Sequence, residues 1–86
     1  MKKVHALFFA TLRDYVGVRS VELQIPVQTD VAGLKALLIE KFPVLRGLMG
    51  YMLISVNHEY VFDDAIVPDD AEVALFPPVS GGYVNI

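Results

Sequence analysis

Apolar residues recur at two-residue spacing in several short stretches of this chain, and at helical spacing in one longer stretch. Val4 to Ala10 is an apolar run of strand type. Val4, Ala6 and Phe8 point to one side of it, and His5, Leu7 and Phe9 to the other. Both sides are largely apolar, which implies a central strand or a strand with one face covered by a partner. Leu12 to Val16 predicts one helical turn, stopped by Gly17. Val21-Glu22-Leu23-Gln24-Ile25 alternates cleanly, with Val21, Leu23 and Ile25 inward, and Pro26 ends it. Thr29 or Asp30 caps a helix in which Val31, Leu34, Leu37, Leu38 and Phe42 form one stripe. Gly33 inside it costs about 1 kcal/mol relative to alanine, Lys41 suits the C-terminal dipole and Pro43 stops it. Leu45 to Gly50 reads as a turn or a short helical piece. Tyr51 to Val56 predicts a strand, Asn57-His58-Glu59 a tight turn, and Tyr60-Val61-Phe62 the answering strand. Asp63-Asp64 and Pro68-Asp69-Asp70 are turn clusters, with Ile66 and Val67 expected under the loop. Glu72 to Phe76 is the last strand.

The resulting order, β-β-α-β-β-β, implies an α+β domain. Its mixed sheet of about five strands packs one face on one main helix. At this size that is the β-grasp, or ubiquitin-like, topology, in which the first and last strands lie parallel at the sheet centre.

Composition narrows the function. Eighty-six residues make one domain. Of these, 55% are apolar, against about 45–50% in an ordinary soluble domain, which points to apolar surface kept for a partner or, more plainly, to packing on both faces of a small sheet. The net charge is −3 with no basic stripe, so nucleic-acid binding is not expected. No apolar run is long enough to span a membrane. The lack of cysteine removes thiol chemistry and cysteine zinc sites and is compatible with a cytoplasmic location. His5 and His58 stand alone in the sequence, so zinc ligation or base catalysis by them is not expected. The aspartates lack a Ca²⁺-loop pattern, and Met49 and Met52 read as core filler. No phosphate loop, serine elbow or nucleotide fingerprint occurs, so no cofactor is expected on this chain.

The informative stretch is Phe76-Pro77-Pro78-Val79-Ser80-Gly81-Gly82. Two prolines end sheet pairing, having fixed φ and no N–H, and the chain then narrows to a serine and two glycines. Such a tail suits a narrow slot in another protein; a loose terminus is the plainer reading.

Three segments carry a resemblance. Leu7 to Gly17, Val56-Asn57-His58-Glu59-Tyr60-Val61, and Asp70 through Gly82 are similar to the small-subunit family of molybdopterin synthase and its ThiS-like sulfur-carrier relatives. The resemblance covers residues 1 to 82. It implies a sulfur carrier in molybdenum-cofactor synthesis. An adenylating, E1-like enzyme would use ATP to activate the carboxylate of Gly82, and sulfur would displace AMP to give a thiocarboxylate. The large synthase subunit would take the tail into its active site, where the sulfur passes to cyclic pyranopterin monophosphate. No catalytic side chain comes from this subunit. By the same resemblance Phe9, Tyr60 and Phe76 would form an apolar docking patch on the outer sheet face, with Pro77, Pro78, Val79, Ser80 and Gly81 received by the partner. Gly81 permits close backbone approach, and the prolines lower the entropy lost on immobilisation.

In the family the second glycine ends the chain, whereas here Tyr83-Val84-Asn85-Ile86 follows. While attached, residues 83–86 make Gly82 an amide that cannot be adenylated. Three explanations stand open: a precursor trimmed after Gly82, the leading part of a fusion, or a docking fold without carrier activity. A ubiquitin-like modifier joined to target lysines through Gly82 is the alternative function.

Overall fold

In the computed structural model, which describes residues 1–77, a five-stranded sheet carries one main helix on its inner face. The elements are β1 (Lys2–Phe8), α1 (Thr11–Val16), β2 (Ser20–Ile25), α2 (Val31–Lys41), two 3₁₀ turns (Pro43–Leu45 and Met49–Tyr51), β3 (Leu53–Val56), β4 (Glu59–Tyr60) and β5 (Ala71–Phe76). The strand order is β2-β1-β5-β3-β4. β1 and β5 run parallel, with Phe8 opposite Leu75; the β1–β2, β3–β4 and β3–β5 pairs are antiparallel. This is the expected β-grasp arrangement. It follows from alternation: Val4, Ala6 and Phe8 of β1, and Ala71, Val73 and Leu75 of β5, are all buried on the helix side.

Helix α2 closes the core with Val31, Leu34 and Leu38, while Leu37 and Phe42 pack at its margin. Asp30 is its cap, its Oδ1 accepting the Gly33 N–H at 2.8 Å. A Cβ at Gly33 would lie 3.1 Å from Thr29 Cγ2 and 3.3 Å from that same cap oxygen, so glycine leaves room for the cap. Met49 and Met52 are buried, as core filler should be.

Several sequence-based boundaries shift. β1 begins at Lys2, because its ladder with β2 extends to the Lys2–Ile25 pair; the Lys2 stem is buried, as a long aliphatic chain permits. β1 ends at Phe8, because Ala10 turns the chain away at φ 53°. β3 starts at Leu53, since Tyr51 still belongs to a 3₁₀ turn. The β3–β4 turn is two residues long: Asn57 and His58 both have positive φ, 51° and 73°. Glu59 therefore already pairs with Val56, and the strand ends at Tyr60 instead of Phe62. Val67 is buried under the loop, but Ile66 is 60% exposed. Neighbours in extended chain point opposite ways, so only one of the two can turn inward.

The turn yields a stability prediction. His58 holds a left-handed conformation that a Cβ disfavours by about 1 kcal/mol, and Asn-Gly is the favoured pair for a two-residue hairpin turn. Its Nε2 lies 3.1 Å from Glu72 Oε1, but the histidine side chain is 86% exposed, so that pair contributes little. His58→Gly is expected to raise the thermal midpoint by about 5 °C for a domain of this size, measured by circular dichroism; an unchanged or lower midpoint would refute it.

Candidate functional site

The outer sheet face is divided into polar and apolar rows by register. β1, β5, β3 and β4 are neighbours in the sheet, so each outward residue continues a line across them. Leu7 pairs with Ala74, Ala74 with Ser55, and Ser55 with Tyr60. One step toward the end of β5, Phe76 pairs with Leu53. Phe9 falls beside Phe76, because the Phe9 N–H still donates to the Leu75 carbonyl at 3.1 Å.

In the opposite direction the same face turns polar. Glu22 lies opposite His5, and His5 opposite Glu72. His5 Nε2 is 3.0 Å from Asp70 Oδ1, and its Nδ1 is 3.6 Å from Glu22 Oε2. The histidines are thus not isolated from carboxylates, as they look in the sequence: β-pairing brings acids from distant segments to both rings. These contacts are largely exposed, and the two nitrogens of His5 face different acids, which is a pairing geometry and not a chelating one. Among the described residues no group of three or more His, Cys, Asp or Glu side chains could hold a metal ion.

The aspartate clusters serve the turns. Asp69 Oδ1 accepts the Lys3 N–H at 3.0 Å, and the Asp70 N–H donates to the Lys3 carbonyl at 2.6 Å. Asp63 Oδ1 accepts from Lys35 Nζ at 2.6 Å.

The three side chains singled out for docking do come together. The rings of Phe9 and Phe76 stack, with centroids 4.9 Å apart and planes 12° from parallel. Tyr60 tilts against Phe76 at 6.2 Å. Phe9 is 40% exposed and Tyr60 70%, although an aromatic pair of this kind would ordinarily be buried. Leu53, 44% exposed, belongs to the same surface and was missed. Its alternation with the inward Ile54 was a usable sign, but the pairing with Phe76 that places it there is tertiary. Pro77 follows Phe76 directly, so the tail leaves the sheet at the edge of this aromatic surface. Pro78, Val79, Ser80, Gly81, Gly82 and residues 83–86 lie outside the described residues. Among the described residues no helix is long and apolar enough to cross a membrane.

The chain is similar to several known proteins over most of its length. The model of the ThiS family matches residues 6–82. A molybdopterin synthase sulfur carrier subunit of Arabidopsis thaliana is 34% identical over 80 residues, covering 93% of this chain and 83% of that one. A protein of the same name from Caenorhabditis briggsae is 33% identical, covering 95% and 100%. Among solved structures, a putative molybdopterin converting factor subunit 1 of Pyrococcus furiosus superposes with a TM-score of 0.85 at 26% identity, over 92% of this chain and 100% of that one. SAMP1 of Haloferax volcanii does so with a TM-score of 0.82 at 26% identity, over 93% and 99%. A chain from the Helicobacter pylori complex of subunits 1 and 2 of molybdopterin-converting factor shares the fold, with a TM-score of 0.67 at 21% identity over 93% and 99%.

Proposed function

The chain belongs to the ThiS family, and on that premise we propose that it is the sulfur-carrier small subunit of molybdopterin synthase. The observation that carries this reading is the aromatic surface of Phe9, Tyr60 and Phe76 at the point where β5 hands over to the tail. A partner seated on that surface lies beside the start of the tail and can take Pro77 through Gly82 into its own active site. On this reading the sulfur-carrier domain is residues 1–82, and it acts once Gly82 bears a free carboxylate.

The chemistry resides in the terminal acyl group. The carboxylate of Gly82 attacks the α-phosphorus of ATP held by an adenylating, E1-like partner, and pyrophosphate leaves. A sulfide-level sulfur nucleophile then attacks the acyl carbon, AMP leaves, and a thiocarboxylate remains. In the large synthase subunit that sulfur passes to cyclic pyranopterin monophosphate. The globule presents the tail, and the cytoplasm is where both partners would meet it. ATP is the adenylating partner's cosubstrate; this chain needs no cofactor of its own.

A second reading is favoured by the likeness to the Haloferax protein, which solved structures describe as a small archaeal modifier protein. Here Gly82 would be joined to lysines of target proteins. Intact mass spectrometry of the chain purified from its own cells separates the two. The carrier reading expects a species ending at Gly82, part of it heavier by the exchange of one oxygen for sulfur, together with co-purifying large subunit. A ladder of heavier conjugates on a denaturing gel, with no thiocarboxylate, would establish the modifier instead.

A further inference from the structure

The apolar row does not stop at Leu53. The β3–β4 ladder pairs Ser55 with Tyr60, and the Val61 N–H donates to the Ile54 carbonyl at 3.3 Å. Beyond the end of that ladder, Phe62 lines the same groove as Leu53. The apolar surface therefore runs from the Phe9–Phe76 stack through Leu53, the ladder partner of Phe76, to Phe62 beside it. Phe62 is 86% exposed, so it contributes little to the core. With Leu53 and Tyr60 it lines a groove of about 520 Å³ whose floor includes Met52 and Ile54 and whose rim holds the Lys35–Asp63 pair.

Acids outnumber cations around these aromatics. Glu59 precedes Tyr60, and Asp63 and Asp64 follow Phe62; all three acids are exposed. Lys35, the cation lining the groove, is already taken up by Asp63 at 2.6 Å. An apolar seat with an acidic rim is complementary to an apolar side chain flanked by lysine or arginine.

We propose that Phe62, Leu53 and Tyr60 form a second seat, continuous with the Phe9–Phe76 stack, for an apolar side chain with basic neighbours on the large synthase subunit. This inference rests on the carrier reading above. The central stack sits where the tail departs and positions it. The outer seat adds affinity and, through its acids, speeds and orients the encounter. Phe62 is on this account a specificity residue, acting without contact to the reacting sulfur.

The test uses the chain ending at Gly82 and its purified large subunit, with association followed by surface plasmon resonance at low and high salt. Phe62→Ala is expected to raise Kd about tenfold, as for a well-seated interface aromatic, with an unchanged thermal midpoint. Asp64→Asn is expected to slow association about threefold at low salt, and this difference should vanish at high salt, where exposed charges are screened. Phe76→Ala serves as the reference for the central stack. Wild-type Kd for Phe62→Ala, alongside weakened Phe76→Ala, would overturn the outer seat and leave the carrier reading standing. Self-association of the chain alone that Phe62→Ala abolishes would assign the groove to a second copy and also overturn it. Failure of the unaltered chain to bind the large subunit would remove the carrier reading, and this inference with it.

Discussion

A chain ending at Gly82 is expected to become thiocarboxylated when incubated with its adenylating enzyme, ATP and a sulfur donor, whereas the chain ending at Ile86 stays unchanged. The expected difference is all or none. Only a free carboxylate can attack the α-phosphorus of ATP; with Tyr83 attached, the same carbon is an amide. Intact mass spectrometry reads the result as a gain equal to the difference between sulfur and oxygen. Adding Gly82→Ala to the shortened chain tests the fit of the slot separately, because a Cβ meets the walls where only backbone passes. Equal modification of the long and short chains would exclude activation at Gly82.

Phe76→Ala is expected to weaken binding to the large subunit by about thirtyfold or more, while costing the fold only about 1 kcal/mol. The first figure is that of a central interface aromatic; the second is that of one aromatic pair, here the stack with Phe9 at 4.9 Å. The two effects separate because Phe76 points away from the core, between the inward Leu75 and the departing Pro77. Isothermal titration calorimetry and urea unfolding on one preparation give both numbers. Equal losses in binding and stability would mean that Phe76 is a packing residue and that docking lies elsewhere.

Both experiments address a surface that was partly readable beforehand. Phe76 could be assigned to the outer face because it alternates with Leu75 in an unbroken apolar strand. Phe9 was assigned by the same rule and does lie on that face, although β1 has ended one residue earlier. Tyr60 rested on resemblance alone. Its strand was placed one residue late, because a two-residue turn through Asn57 and His58 cannot be told from a three-residue one by composition. That single-residue difference matters in a sheet, where each step reverses the facing of every side chain. Leu53 and Phe62 were passed over for a related reason: nothing local to either residue says which neighbours it will have across the ladder.

Local pattern is enough to give the elements, their order, the inward face of β1, β5 and α2, and the Pro-Pro-Val-Ser-Gly-Gly stretch that follows β5. These depend on spacing along the chain, on prolines that cannot pair, and on the two glycines at 81 and 82, all of which are local properties. Long-range pairing is what sets Phe76 against Phe9 and Leu53, brings His5 to Glu22 and Asp70, and leaves Ile66 outside while Val67 goes in. Those contacts join residues distant in sequence, through parallel and antiparallel ladders whose register is set by the burial of the opposite face. The proposed docking surface is thus the reverse side of the core: pairing Phe8 with Leu75 is what brings Phe9 onto Phe76.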